Sequence, residues 1–398
     1  MNIMIMTVSG LSIGVAIVIG SHLGGSNPEK PVKSCANTAI SFYLLLSLIV
    51  TVLGVFLTPF LISLVKTPPE AISGAISYLR IIFLGSVFLF GYNLIAAFQQ
   101  GFGDSKTPLY LVLTGTFINI ILDYLLIGVW DMGPQGAAIA TVTAQAITLA
   151  AGIVYFRIKK HLITFSPREF KINKIQMGLI IHMGLPAAIQ QFLINVSNTT
   201  LMGVANSFGV AASAGYGVAV KLDSFARLPI DAIGLGVAPF ASQNVGAGKP
   251  ERALKGLKEA VKLAEVFAVL SIVLFQTIAP LLSSIFDSNP QVIAYSAGYL
   301  KIVCFANLIF AMITPMIGFV RGTGNSIFTL IAVVVAQYFI RIPVSLICTK
   351  LIGFNGLAVG TILATISALM IYSYAIFTNR WMKSKEVLRS KEMLSKCQ

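Results

Sequence analysis

Asn119 and Asp123 stand four residues apart in the stretch NIILD, so a helix carries them on one face, one turn apart. A carboxyl group in a low-dielectric pocket exchanges its proton as water access changes, which is the chemistry of a proton-driven switch. Asn93 on the preceding segment, with Thr141 and Gln145 on the following one, supplies neutral polar groups to complete such a pocket. The competing reading makes Asp123 a hydrogen-bonded link between helices. A second group is Asp223, Arg227 and Asp231, spaced four and four, with Lys221 close by and Pro229 expected to interrupt the helix. Alternating signs on one face neutralise one another, so this group reads first as an ion-pair ladder. Its alternative is that Asp223 faces a cavity and attracts a cation. The third is Arg341 in FIRIPVS, an isolated cation expected to pair with Asp223 or Asp231. Pro343, just after it, is expected to loosen the helix and mark a bend.

These groups matter because of the medium around them. With 56% hydrophobic and only 11% charged residues, the chain is far more apolar than a soluble protein, which carries about a quarter charged residues. An ionisable group at mid-bilayer costs about 2.5 to 3.5 kcal/mol even on insertion scales, so each one wants a reason. Apolar runs predict about eleven spans, near 3–22, 37–65, 74–99, 108–130, 136–157, 178–205, 210–242, 258–286, 293–320, 327–349 and 355–377. NIILD falls near the middle of the fourth. The net charge of +14 alternates between connectors. Lys30 and Lys33, Lys106, the run from Arg157 to Lys174, the run from Lys249 to Lys262, Arg321 and the tail from Arg380 to Lys396 carry it, while little beyond Lys66 and Lys350 falls between. This is the positive-inside pattern, and it places the odd-numbered loops and the C-terminus in the cytoplasm. The basic balance reports topology and gives no ground for a nucleic-acid partner.

Cys35, Cys304, Cys348 and Cys397, like His22, His161 and His182, are scattered without metal-ligand spacing, so no metal site is expected. Neither a Ser/His/Asp set nor paired catalytic carboxylates appear, which argues against an enzyme.

The chain repeats itself. LGGSNPEKPVKS at 23–34 is echoed by VGAGKPERALKG at 245–256, a spacing of 222. Pro59 and Pro280, Pro69 and Pro290, and the glycines of GFGDS and GTGNS recur at 221, and GPQGAAIAT matches GFNGLAVGT at 220. An offset held this closely marks a tandem duplication. The second copy holds six spans and the first five, so the parent has twelve helices in two groups of six, and this chain lacks the first. An even number gives both copies one orientation. The N-terminal helix has a twin inside the chain and lacks a basic leading segment, which favours a structural helix over a signal peptide. Through the same offset Arg341 falls within about a residue of the counterpart of Asn119.

GLPAAIQQ, the long phrase KLDSFARLPIDAIGLGVAPFASQNVGAGKPERA, and QGFGDSKTP with RGTGNS at matching places resemble the multidrug and toxic compound extrusion (MATE) transporters along almost the whole chain. The resemblance implies a V-shaped pair of lobes, alternating access, and export of organic cations or other amphipathic compounds in exchange for protons or sodium. The family's N-lobe proton site resembles the Asn119 and Asp123 pair, although its partner aspartate lies on the helix absent here. The sodium-coupled branch uses a Glu on its seventh helix and an Asp on its tenth. The matching stretches, GLPAAIQQFLINVSN and FANLIFAMITPMIGFV, hold no carboxylate and offer Gln190, Gln191 and Asn195 instead. Protons are therefore expected over sodium, with an ion gradient and no cofactor.

The expected fold is an all-α polytopic membrane protein, two pseudo-symmetric bundles of a twelve-helix transporter with the first helix missing. Residues 1–160 form the N-terminal lobe, 161–176 a basic cytoplasmic linker, 177–378 the C-terminal lobe and 379–398 a basic cytoplasmic tail. The expected protein is a monomeric plasma-membrane exporter of a small-molecule substrate, surrounded by lipid, with the substrate cavity drawing on Asp223, Arg227, Arg341, Gln190, Gln191 and Asn195. Two alternatives are a flippase for lipid-linked precursors and a non-functional remnant. A flippase calls for several basic residues in its cavity, where only Arg341, Arg227 and Lys221 qualify.

Overall fold

A computed structural model of the chain describes residues 2–64, 68–159, 162, 163, 165, 167–378 and 381. Lys66, Lys160, His161, Cys397 and the expected basic tail from Arg380 to Lys396 lie outside them. The described residues are almost entirely helical. In chain order the α-helices are α1 (Asn2–Leu23), α2 (Glu29–Leu64), α3 (Pro69–Leu84), α4 (Ser86–Gly101), α5 (Lys106–Asp123), α6 (Gly133–Ile158), α7 (Lys174–Asn206), α8 (Val210–Gly246), α9 (Pro250–Ser284), α10 (Pro290–Gly322), α11 (Ser326–Val334), α12 (Ile342–Ile352) and α13 (Gly356–Phe377). Two π-helical segments, Tyr124–Val129 and Val335–Arg341, continue α5 and join α11 to α12.

A bilayer cannot hydrogen-bond a bare peptide group, so helices satisfy the backbone internally while large apolar side chains face outward. Leu48, Phe56 and Phe60 of α2, Tyr110 and Phe117 of α5, and Val266, Leu270 and Val273 of α9 are all exposed. The interior is lined instead by small residues such as Ala36 and Ala39 in the first half and Ala264, Ala268 and Ala306 in the second. Eight described stretches are long and apolar enough to cross a membrane, and nine when the pair α3 and α4, bent by 47°, counts as one span. The stretch Ser326–Phe377 has 52 residues, which at 1.5 Å per residue is about 78 Å, and it reverses at Gly353, so it accounts for two passes. α8 is not among the eight. Lys221, Asp223, Arg227 and Asp231 crowd its middle.

By internal packing the described residues divide into two compact units, one up to Leu185 and one from Pro186 onward. Their helices recur in register. α3 starts at Pro69 and α4 ends at Gly101, and α10 runs Pro290–Gly322, both ends displaced by 221. In the first unit α1 packs on α4 and α2, α2 on α4, α4 on α6 and α5 on α6. In the second, α8 packs on α10 and α9, α9 on α10, α10 on α13 and α12 on α13, which is the same scheme under the repeat. The turns match as well, with Gly103 at φ 83° and Gly324 at φ 97° after equivalent helices.

The tightest shared feature is a helix crossing. A Cβ on Gly318 would collide with the Gly234 carbonyl, and one on Gly322 with the Ala238 carbonyl, so small residues four apart let α8 and α10 approach backbone to backbone. In the first unit Gly101 of α4 faces Ala16 of α1, the repeat counterparts of Gly322 and Ala238, but less closely: a Cβ there would meet the Ile19 side chain first and the Ala16 carbonyl at 3.1 Å. The two units also differ locally. Gly85 breaks α3 from α4, whereas α10 runs through. α9 also departs from helical geometry at Ile278 (φ −124°, ψ 18°), two residues before Pro280, although α2 carries the counterpart Pro59.

Asp104 fastens the turn before α5. Its Oδ1 accepts from the N–H groups of Lys106 (3.1 Å) and Thr107 (3.0 Å), and its Oδ2 from the hydroxyls of Thr107 (2.5 Å) and Tyr155 (3.1 Å). Asn325, its repeat counterpart, caps α11 through Phe328 N–H. Partial burial works against the Asp104 carboxylate, but these four donors prevail and hold its pKa below the usual value of 3.8. A depressed folded pKa contributes stability that is present above the unfolded value and is lost as pH falls through the folded one. Thermal stability of the purified chain is therefore expected to be flat from about pH 7 to 5 and to fall below about pH 4. Asp104→Asn is expected to be less stable at pH 7 and to lose that part of the acid response. An unchanged acid limb in the variant would assign it to other carboxylates.

Candidate functional site

In the first unit α5 ends at Asp123 and the chain passes directly into the π-segment Tyr124–Val129. Asn119 thus sits near the middle of the helical stretch Lys106–Val129 and Asp123 one turn further, six residues before its end. Both are half-buried, and the Asn119 Nδ2 and Asp123 Oδ1 atoms are shielded from solvent without a hydrogen-bond partner. A wide π-turn leaves carbonyls misaligned and recurs at functional positions in helices. The expected five-residue pocket is not knit together. The Asn93 amide donates to the Leu89 carbonyl (2.8 Å) and the Thr141 hydroxyl to the Ala137 carbonyl (2.9 Å), each within its own helix. No hydrogen bond joins Asn93, Asn119, Asp123, Thr141 and Gln145 among the described residues.

The second unit holds a denser polar core. Asp223, on α8, is buried, and its carboxylate accepts from the Asn307 amide of α10 (3.0 Å) and faces Arg227 Nε at 3.5 Å. Asn307 also reaches Ser271 of α9 (3.4 Å). The Arg227 guanidinium lies 4.7 Å from the Phe310 ring centroid, a cation–π contact that supports it where water is scarce. The ion-pair ladder is therefore half present: Asp231 is exposed and lies beyond ion-pair distance of Arg227. α8 also continues as helix through Pro229, where sequence suggested an interruption.

Arg341 differs from its expected pairing. It ends the π-segment Val335–Arg341, and with 9% exposure its guanidinium donates to Asn198 Oδ1 (2.7 Å), Gln337 Oε1 (3.0 Å) and Thr361 Oγ1 (3.3 Å). Ser197 donates to the same Gln337 oxygen (3.1 Å). Neutral acceptors from α7, the π-segment and α13 take the place of Asp223 and Asp231, and they spread the charge over three dipoles. The loosening expected from Pro343 is real and appears as the π-segment immediately before it, because proline offers no N–H to the preceding turn. The Tyr216 and Tyr299 rings of α8 and α10 pack 5.2 Å apart, edge to face, in the same unit.

A second buried cation escaped the sequence reading. Arg321 was counted with the loops, yet it is 7% exposed on the last turn of α10, where it donates to Gln190 Oε1, which also receives the Thr329 hydroxyl (3.3 Å). Its repeat counterpart is Gln100, and that swap of a neutral group for a charged one was a legible signal. Gln190 is thus a structural acceptor for Arg321. Asn195 is exposed and donates to the Gln191 carbonyl of its own helix (2.9 Å), while Gln191 is half-buried. Asn198, Gln337, Thr361 and Asn307 were also missed. Asn198 and Asn307 stand inside stretches singled out above, but helical spacing alone does not tell which amide meets a charge.

The sequence matches the MatE family over residues 1–125 and 186–347, well over half of the chain. The chain belongs to this family. The two matched stretches of this MatE protein end 222 residues apart, the spacing of the internal repeat. The probable multidrug resistance protein YpnP of Bacillus subtilis (strain 168) is 31% identical over 389 residues, covering 96% of this chain and 86% of that protein. YoeA of the same organism, also a probable multidrug resistance protein, is 29% identical over 391 residues, covering 96% and 83%. Among solved structures, the outward-facing conformation of a multidrug resistance MATE family transporter aligns with a TM-score of 0.90 at 18% identity, over 96% of this chain and 86% of that one. The fold is that of the MATE multidrug efflux transporters, an all-α, multi-pass membrane architecture.

Proposed function

We propose that this MatE chain exports amphipathic organic compounds, organic cations foremost, across the plasma membrane by alternating access in antiport with protons. Asp123 carries the proton, and Asn119, Asn93, Thr141 and Gln145 furnish its polar surroundings. Asp223, backed by Arg227 and Asn307, draws the cationic group toward the second unit. Arg341, Gln191 and Asn195 supply the polar groups around it, and Gln190 acts behind them by holding Arg321. The observation that carries this reading is Asp123 itself. Apart from Glu29 and Glu70 in the first turns of α2 and α3, it is the one carboxylate in a membrane span of the first unit among the described residues, it adjoins a π-segment, and its Oδ1 is shielded and unpartnered. Intramembrane carboxylates mark ion pathways because nothing else compensates their insertion cost. The lack of any carboxylate near Gln190, Gln191 and Asn195 on α7 favours protons over sodium.

The test is transport by the purified chain in vesicles loaded with a fluorescent organic cation. Uphill movement is expected while a pH gradient persists and is expected to stop when a proton ionophore collapses it. Exchanging sodium for choline is expected to leave the rate unchanged. Sodium-dependent transport would reverse the ion assignment, and dye movement without any gradient would point to a channel.

A further inference from the structure

The second unit carries a cavity outside the Asp223 and Arg341 network. It occupies about 720 Å3 between the end of α7, the first three turns of α8 and the turn after α9, and opens at that end of the unit. Met202, Val210, Val218 and Phe286 supply apolar wall, and Asn206, Ser213 and Lys221 are its polar groups. The volume lies within the range of about 300 to 1,000 Å3 that accommodates drug-sized ligands. Asn206 and Ser213 satisfy one another across the α7–α8 turn, the hydroxyl donating to Oδ1 at 2.5 Å, and so stiffen the rim.

Lys221 is the unanswered charge. Its ammonium lies 5.8 Å from the Phe286 ring centroid, and no carboxylate comes within ion-pair distance of it among the described residues. Asp287, beside Phe286, commits Oδ1 to the Asn289 N–H at 2.8 Å. Lys221 is exposed to solvent on the wall of this recess, and an exposed cation beside an aromatic ring and apolar wall is matched by an anionic group on an apolar body. Gly217, one turn before Lys221 on α8, keeps the recess open: a Cβ there would meet only the Met202 methyl, at 3.8 Å.

We propose that this cavity is a binding site for drug-sized amphipathic organic anions, a carboxylate or sulfonate on an apolar skeleton, with Lys221 holding the anion and Met202, Val218 and Phe286 the skeleton. The assignment is independent of the direction and coupling of transport. It is tested on the full chain in neutral detergent by scintillation-proximity binding of radiolabelled taurocholate. Saturable binding is expected. Lys221→Gln is expected to weaken it at least about tenfold, Lys221→Arg to preserve it, and Lys262→Gln, on an exposed pair with Glu259, to leave it unchanged. Gly217→Leu, which fills the recess, is expected to abolish it. Variants are compared only where gel filtration shows a monodisperse protein. Should Lys221→Gln fail that check, competition on the native chain decides, because an uncharged steroid of the same skeleton is expected to displace taurocholate poorly. Equal affinity in Lys221→Gln, or equal displacement by the uncharged steroid, would overturn the proposal. So would displacement by phosphatidylglycerol at low micromolar levels, which would make the recess a lipid site.

Discussion

Asp123→Asn is expected to reduce proton-driven efflux to the level of protein-free vesicles while the variant inserts and folds as the native chain does. The two side chains share a shape, so helix packing is conserved, but the amide cannot carry a proton at any accessible pH. Among the described residues Asp123 makes no ion pair, and its shielded Oδ1 has no hydrogen-bond partner. An intramembrane carboxylate that carries a desolvation cost without such a partner is a functional candidate. Asp123→Glu is expected to keep part of the activity, since it preserves the titrating group and shifts it by one carbon. The measurement is the initial rate of dye efflux under an imposed pH gradient, normalised to the amount of monodisperse protein. Native rates in Asp123→Asn would remove the proton role, and an Asp123→Asn protein that fails to fold would restore the reading of Asp123 as a link between helices.

The second large effect lies at the crossing of α8 and α10. Gly318→Leu is expected to abolish recovery of folded protein, because even the first added carbon collides with the Gly234 backbone carbonyl. Backbone atoms cannot step aside as a flexible side chain can, so the helices must separate and every contact along the crossing loosens. Overpacking a well-packed core costs about 1 to 3 kcal/mol when neighbours can adjust, and here they cannot. Gly318→Ala is therefore already expected to lower the thermal midpoint. Gly203→Ala is the control, since a Cβ there meets nothing within 4 Å, and it is expected to hold or raise stability by up to about 1 kcal/mol through helix propensity. Gly101→Ala, at the equivalent crossing of α1 and α4, is expected to cost less than Gly318→Ala, because its Cβ meets the Ile19 side chain first and the Ala16 carbonyl only at 3.1 Å. Equal stability of Gly318→Ala and Gly203→Ala would show that the crossing is looser than its geometry.

The helices and the duplication were legible because both are one-dimensional signals. Apolar runs of span length predict helices directly, and a constant offset of 220 to 222 predicts that Pro69–Gly101 and Pro290–Gly322 do the same job. Even Pro343 announced the local disturbance that the π-segment before it realises. Individual polar partners were not legible in this way. Spacings of four on α8 paired Asp223 with Arg227 correctly, but they extended the ladder to Asp231, which faces outward. Arg321 reads as a loop residue because it ends a hydrophobic run, and only the fold shows that the run's end is covered.

By itself the sequence determined the medium, the helix count to within a span or two, the repeat and the family, since bulk hydropathy, charge alternation and a fixed offset are each summed over many residues and tolerate local error. Tertiary structure decided which neutral groups hold Arg341 and Arg321, and that Asn307 steadies Asp223. The contacts of Asp223 with Asn307, of Arg321 with Gln190 and of Arg341 with Asn198 join residues 84, 131 and 143 positions apart, and whether a given side chain turns toward a neighbour or toward lipid depends on the rotation of each helix about its axis. That rotation is set by backbone crossings such as Gly234 on Gly318, which no pattern along a single helix records.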